Sequence, residues 1–63
     1  MIRYRYYLLD LGKRVRESEA LDCETDAEAV IISREILKRR PEFHGVELWA
    51  GTRCVEKTDR TSL

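Results

Sequence analysis

The chain has few of the residues that small domains use for added stability or for chemistry. Its 63 residues include two cysteines, one histidine, one proline and three glycines. Cys23 and Cys54 could close one disulfide at most, and together with His44 they lack the paired short spacings of a zinc site. The glycines stand apart from one another, so they form no phosphate-binding loop. We therefore expect neither a metal nor a cofactor.

Long apolar segments are missing as well. No apolar run exceeds five residues, whereas a helix needs about 20 to cross a bilayer. The first residues also carry no basic segment followed by an apolar export core. These absences favour a cytoplasmic protein that has reduced thiols and no membrane partner.

Net charge is absent too, because 12 basic and 12 acidic side chains give a formal charge of zero. Most nucleic-acid-binding proteins carry a broad positive potential, which this balance removes. The charges nevertheless occur in blocks. Residues 1–16 carry five bases against one acid, and residues 17–35 carry seven acids against one base.

The sequence that is present begins with a predicted β-hairpin. Ile2 to Asp10 alternates with a period of two in residue types that favour strands. The turn follows at residues 10–13, where Gly12 is expected to take a positive φ. Residues 14–23 return as a second strand whose polar middle is exposed or bulged. On the first strand, one side carries Ile2, Tyr4, Tyr6 and Leu8, and the other side carries Arg3, Arg5, Tyr7 and Leu9. On the second strand, one side carries Val15, Leu21 and Cys23.

A helix is predicted after the hairpin. Thr25 and Glu28 form the T-x-x-E pattern of a capping box, in which each side chain satisfies a free backbone N–H group at the helix start. The helix should end near Arg39 or Arg40, because Pro41 disfavours helical backbone in the residue before it. Acids in the first turn and bases in the last turn suit the helix dipole. The basic cluster is therefore interpreted as a helix end rather than as a phosphate site.

Residues 46–49 and 53–56 predict a second hairpin around a turn at 50–52. The predicted fold class is α+β: a single ββαββ domain over residues 1–58, with a four-stranded antiparallel sheet and one helix packed on one face. A right-handed connection gives the strand order 2-1-3-4. Residues 59–63 are polar and are expected to form a frayed C-terminal tail.

Three stretches carry a family resemblance: YRYYLLDLGKR, TDAEAVIISREIL and VELWAGTRCV. They resemble a group of very short, uncharacterised alphaproteobacterial proteins with a Tyr-rich first strand, an Asp-x-Gly turn, a D-A-E-A helix start and a closing E-L-W-x-G-x-R hairpin. The similarity runs from Tyr4 to Val55, with Ala50 where that group carries an acidic residue. The resemblance implies a bacterial cytosolic setting and a ββαββ fold, and it implies no activity and no catalytic residue.

No pattern in the sequence specifies a reaction. A nucleophile requires a base within hydrogen-bond reach, and His44 lies in a predicted loop, where pairing with Cys23 or Cys54 stays open. None of the carboxylates stands in the apolar setting that an acid–base catalyst needs. We therefore expect no enzymatic activity and predict no catalytic, cofactor-binding or metal-binding residue.

The apolar side chains exceed what one helix can cover. A single helix covers one side of a four-stranded sheet, and Tyr7, Leu9 and Trp49 are assigned to the other side, which we call the open face. Protein interfaces favour aromatic and Arg side chains, so the leading hypothesis is a homodimer formed through the open face. The candidate interface residues are Arg3, Arg5, Tyr7, Leu9 and Trp49, with Ile31 on the helix as a second, smaller candidate surface.

Two other uses of the open face stay open. An unrelated protein could bind there, which would make the chain a small adaptor or regulator. Single-stranded nucleic acid could stack on Tyr7 and Trp49 and place its phosphates on Arg3 and Arg5. Zero net charge and the missing Gly-aromatic signature of RNA-binding sheets count against nucleic acid.

Overall fold

The strands and the helix follow the predicted order in the computed structural model, which describes all 63 residues. The elements are β1 (Ile2–Leu9), β2 (Val15–Cys23), α1 (Asp26–Arg39), β3 (Gly45–Ala50) and β4 (Arg53–Asp59), followed by a 3-10 helix (Arg60–Ser62). The four strands form one antiparallel sheet in the order β2-β1-β3-β4. The predicted ββαββ fold and its strand order are confirmed.

The capping residue predicted from the sequence begins α1. Thr25 Oγ1 accepts a hydrogen bond from the backbone N–H of Glu28 at 3.2 Å, which satisfies one of the free donors of the first turn. The helix ends at Arg39, two residues before Pro41, as the restriction on residues before proline requires. With 14 residues, α1 is too short and too polar to cross a bilayer.

The core lies between α1 and one face of the sheet, and it consists of two clusters. Each cluster combines side chains of the central strands β1 and β3 with side chains of α1, because those strands lie directly beneath the helix. The first cluster is Tyr4, Cys23, Ala29 and Leu48, and the second is Leu8, Leu37, Phe43 and Val46.

Tyr4 joins the core to the first turn of α1. Its side chain is fully buried, and its hydroxyl donates a hydrogen bond to Asp26 Oδ1. The guanidinium of Arg53 donates to both oxygens of Asp26, at 2.9 and 3.2 Å. The hydrogen bond to Asp26 and burial raise the pKa of Tyr4 to about 12, whereas the hydrogen bonds from Arg53 and Tyr4 lower the pKa of Asp26. These contacts connect β1, α1 and β4.

The first turn differs from the prediction in its backbone. Lys13, and not Gly12, has the positive φ, at 64°. Lys13 N–H donates to Asp10 O at 2.9 Å, and Asp10 N–H donates to Arg14 O at 3.0 Å. This pattern closes the turn with a left-handed residue at its fourth position. The prediction for Gly12 is wrong because the turn needs its left-handed residue one position later.

Val15 lies on the face opposite to the one predicted. Leu8 pairs with Glu17, but the next residue, Leu9, pairs with Val15. Arg16 is therefore an extra residue, and such a bulge reverses the side on which the preceding residues project. Val15 shares the open face with Leu9 and is 56% exposed, whereas the end of β2 keeps the predicted orientation.

The C-terminal residues contact the end of α1, which differs from the frayed tail expected over residues 59–63. The guanidinium of Arg60 donates to the carbonyl oxygens of Leu37, Arg40 and Phe43, each at 2.6 Å. These carbonyls belong to the helix end and the loop after it, where intrahelical partners are missing. A distant side chain thus satisfies them and holds the last residues against the domain.

Candidate interaction surface

The sheet register brings together the five residues predicted for the open face. Side chains alternate along a strand, so the β1 residues next to buried Tyr4 and Leu8 project away from α1. In β3, Leu48 is buried on the helix side, and Trp49 projects from the other side opposite Arg5. The open face thus contains Arg3, Arg5, Tyr7, Leu9 and Trp49.

Four side chains form a square at the centre of the open face. β1 contributes Arg5 and Tyr7, and β3 contributes Trp49 and Glu47. The register places Arg5 opposite Trp49 and Tyr7 opposite Glu47. The two aromatic residues therefore occupy one diagonal and the two charged residues the other. We call these four residues the central square.

Apolar surface extends beyond the central square. Tyr7, Leu9 and Trp49 are half-buried by their neighbours within the sheet, and Val15 pairs with Leu9 at the edge. Cys54, which is exposed, stands opposite Trp49 on β4. A shallow depression of about 400 Å³ crosses this surface, and no element of the chain covers it. Its lining consists of Tyr7, Val15, Glu47, Trp49, Gly51 and Thr52.

Arg3 is already engaged in an ion pair within the chain. Its guanidinium donates to both carboxylate oxygens of Asp22, at 2.9 and 3.2 Å. The two residues are register partners on β1 and β2, and the hydrogen bond from Arg3 lowers the pKa of Asp22. This corner of the open face is therefore electrically compensated.

The two charges of the central square have no ion-pair partner in the chain. The seven ion pairs of the structure include neither Arg5 nor Glu47. Arg5 Nη1 donates only to Ser18 Oγ, at 3.5 Å, which is the long limit of a hydrogen bond. Glu47 Oε1 accepts from Trp49 Nε1 at 3.1 Å, and this bond orients the indole. Both charges are thus available to a molecule that covers the open face.

Ile31 does not join the other candidate residues. It is 62% exposed on α1, and α1 packs against the opposite side of the sheet from the open face. Ile31 is therefore a separate exposed side chain and not an extension of the central square.

The structure separates the cysteines from the histidine. Cys23 is fully buried in the core, and burial raises the pKa of its thiol. Cys54 stands opposite Trp49, which lies four residues along β3 from Gly45, or roughly 13 Å at the usual strand rise. A second depression of about 490 Å³ lies near His44, and neither cysteine lines it. No Cys–His pair forms.

Val15 and Cys54 belong to the open face, although neither was predicted there. Simple alternation along β2 assigns Val15 to the helix side of the sheet, but the bulge at Arg16 reverses the side on which it projects. The unbroken polar run in this strand is the one sequence signal for that bulge. The register of β4 also shifts, between Leu48 and Trp49, which decides where Cys54 projects. Both positions depend on irregularities in strand pairing.

Comparison with known proteins adds no relative. The chain matches no protein-family model, no curated protein and no solved structure. The resemblance to short alphaproteobacterial proteins therefore stays a prediction. A function for the protein is accordingly argued from the geometry of the open face.

Proposed function

We propose that the protein is a small, non-enzymatic interaction module that forms a homodimer through its open face. The observation that carries this proposal is the aromatic pair Tyr7 and Trp49, which lies half-buried at the centre of a sheet face that the chain leaves uncovered. A sheet with apolar side chains on both faces is stabilised when each face packs against another layer. α1 supplies one layer, and a partner chain would supply the other.

A second copy of the chain suits the open face in area. A standard stable interface covers about 800 Å² on each partner, close to a fifth of the 4267 Å² that this chain exposes. The four strands are six to nine residues long and lie about 4.8 Å apart, so the sheet spans roughly 20 by 25 Å, a plane of about 500 Å². This plane is smaller than a standard interface, so it fits a weak dimer, the class that smaller interfaces form.

The charges of the open face favour a protein over single-stranded nucleic acid. Bases could still stack on Tyr7 and Trp49. Phosphates require free cations, and the pairing of Arg3 with Asp22 at 2.9 Å leaves only Arg5 and Lys57 as unpaired cations on the sheet of this face. Glu47 stands in the central square itself, where it would repel a phosphate backbone. Nucleic-acid binding is therefore the second candidate.

Sedimentation equilibrium across the micromolar range tests the proposal. The wild-type mass is expected to rise from the 7.5 kDa of one chain toward twice that value. Tyr7→Glu places a carboxylate in the apolar part of the open face, so this variant should stay monomeric. Ile31→Glu is the matched control, because it makes the same type of change on the exposed helix surface and should leave the dimer intact. Circular dichroism and urea midpoints establish that both variants fold.

The outcomes separate the candidate functions. A wild-type monomer at high micromolar concentration would overturn self-association. Loss of the dimer in Ile31→Glu, with the Tyr7→Glu dimer retained, would move the interface to the helix. Binding of a mixed oligonucleotide at low salt that weakens as salt is added, and that is lost in Tyr7→Glu, would favour the nucleic-acid alternative.

A further inference from the structure

We infer that the two-fold axis of the dimer runs along the Tyr7–Trp49 diagonal of the central square, so that Arg5 of each chain pairs with Glu47 of the partner subunit. This inference rests on the proposed homodimer and gives it a specific geometry. It follows from the arrangement of the four side chains, in which the aromatic residues occupy one diagonal and the opposite charges the other.

A face-to-face dimer of identical chains has its two-fold axis in the plane of the interface. Each chain then meets its own surface reflected across that axis, so a residue on one side contacts the residue that the axis exchanges with it. With sides of about 4.8 and 6.7 Å, an axis along the Tyr7–Trp49 diagonal carries each charged corner to within about 3 Å of the other, a gap that these long side chains span. Arg5 lies over the partner's Glu47, and Glu47 lies over the partner's Arg5. Each aromatic residue lies on the axis and contacts its own copy, as offset or edge-to-face pairs allow.

The other simple axes through this centre leave the charges unpaired. An axis along the Arg5–Glu47 diagonal places like charges against each other. An axis along the strands places Arg5 over Trp49 and Glu47 over Tyr7, and an axis across the strands places Arg5 over Tyr7 and Glu47 over Trp49. Both allow Arg5 a cation–π contact, but neither gives Glu47 an opposite charge. Covering a charge without an opposite charge is unfavourable. The charges therefore select the aromatic diagonal.

The same axis determines how the two sheets cross. Neighbouring strands lie about 4.8 Å apart, and side chains on one face of a strand repeat about every 6.7 Å. The Tyr7–Trp49 diagonal consequently lies roughly 35° from the strand direction, and the strands of the two chains cross at roughly 70°. This value is close to the orthogonal class of sheet-on-sheet packing.

The contacts within the chain leave both charged groups free for this role. Arg5 has only the long contact to Ser18 Oγ at 3.5 Å. Glu47 uses Oε1 to accept from Trp49 Nε1 at 3.1 Å, and its second oxygen accepts no hydrogen bond within the chain. By contrast, Arg3 on the same strand is held by Asp22 at 2.9 Å. Lys57 stands opposite Glu47 on β4 but forms no ion pair with it. Arg5 and Glu47 are thus the charges at the centre of the open face that a second copy would satisfy.

Charge exchange between Arg5 and Glu47 tests the inference by sedimentation equilibrium. Arg5→Glu and Glu47→Arg each create two like-charge contacts, so each variant should raise the dimer Kd at least about tenfold. The double variant restores both pairs but, like Glu47→Arg, lacks the acceptor for Trp49 Nε1, so its Kd should lie at least about tenfold below that of Glu47→Arg. An equimolar mixture of the two single variants should form a heterodimer, because one chain then carries two acidic corners and the other two basic corners. Arg14→Glu, in the first turn, changes the net charge equally and should leave the Kd unchanged.

The results distinguish this inference from the proposed function. A wild-type dimer whose double variant is as weak as Glu47→Arg, together with a mixture that forms no heterodimer, would overturn the paired geometry and leave the homodimer standing. A wild-type monomer would overturn the homodimer itself. Weakening by Arg14→Glu equal to that by Arg5→Glu would show a bulk-charge effect and would also overturn the pairing. If Glu47→Arg fails to fold, Glu47→Gln takes its place, because the amide oxygen still accepts a hydrogen bond from Trp49. Arg5→Gln is then the matching change at the other corner. An unchanged Kd in both of these variants would count against the pairing.

Discussion

Arg60 joins the C-terminal residues to the end of α1, and replacing it tests how much this contact contributes to the stability of the domain. Its guanidinium donates to the carbonyl oxygens of Leu37, Arg40 and Phe43, each at 2.6 Å. A cation at this place also complements the negative end of the helix dipole. Arg60→Ala removes all three hydrogen bonds and releases the last residues from the end of α1. We expect this single change near the C-terminus to destabilise the whole domain.

The magnitude follows from the partners that remain. Leu37 O still accepts from Arg40 N–H at 3.2 Å, and Arg40 O still accepts from Phe43 N–H at 3.1 Å, so the Phe43 carbonyl is the one left without a partner. A hydrogen bond from a charged donor contributes about 1.5 to 3 kcal/mol, and three bonds from one guanidinium are not additive. We expect Arg60→Ala to lower the free energy of unfolding by about 2 to 3 kcal/mol. A chain of this length has roughly 3 to 9 kcal/mol in total.

Urea unfolding followed by circular dichroism, at one protein concentration, measures this change. With a slope near 1 kcal/mol per molar urea, the midpoint should fall by about 2 to 3 M. Arg60→Lys keeps the charge but not the fork of donors, so it should recover part of the loss. Arg39→Ala, an exposed arginine without an ion pair, is the control and should change the free energy by less than about 0.5 kcal/mol. An Arg60→Ala variant as stable as that control would refute the closing role of Arg60 and would agree with a frayed tail.

Two further changes test local geometry. Lys13→Gly relieves a left-handed residue that carries a side chain and should raise the free energy of unfolding in urea by about 0.5 to 1 kcal/mol; equal or lower stability would contradict the turn. Ultraviolet titration of the folded protein should show one of its three tyrosines ionising with a pKa of about 12, and Tyr4→Phe should remove that step. Because this pKa lies above the ordinary 10.0, the contact between Tyr4 and Asp26 stabilises the fold fully below pH 10 and is lost as the pH rises through about 12. Ionisation of Tyr4 at its ordinary pKa of 10.0 would speak against the buried hydrogen bond.

The elements themselves could be predicted because their signals are local. Thr25 and Glu28 are three positions apart, and their capping contact at 3.2 Å needs no other part of the chain. The helix ends before Pro41 because of a steric restriction between neighbouring residues. Alternation along β1 assigns Tyr4 to one face and Tyr7 to the other with no knowledge of the neighbouring strands. For this reason the ββαββ order and the division of the first strand agree between sequence and structure.

The departures occur where a contact joins distant residues or where strand pairing is irregular. Arg60 contacts the end of α1, some twenty positions earlier in the chain. No local pattern in the polar C-terminal residues predicts this contact. The bulge at Arg16 moves Val15 to the open face, because a shift of one residue in pairing reverses every side chain beyond it. The left-handed residue of the first turn is Lys13, a position that depends on how the hairpin closes rather than on the preference of glycine.

Local patterns in the chain are therefore enough to predict which elements form, their order, and which side chains of β1 share a face. Which residues of different strands become neighbours depends on long-range pairing. Arg5 and Trp49 are more than forty positions apart, and they stand opposite each other because β1 and β3 pack beneath the same helix in one register. Each strand's own sequence supplies one charged and one aromatic residue on this face, and the register places them so that the aromatic residues occupy one diagonal and the charges the other.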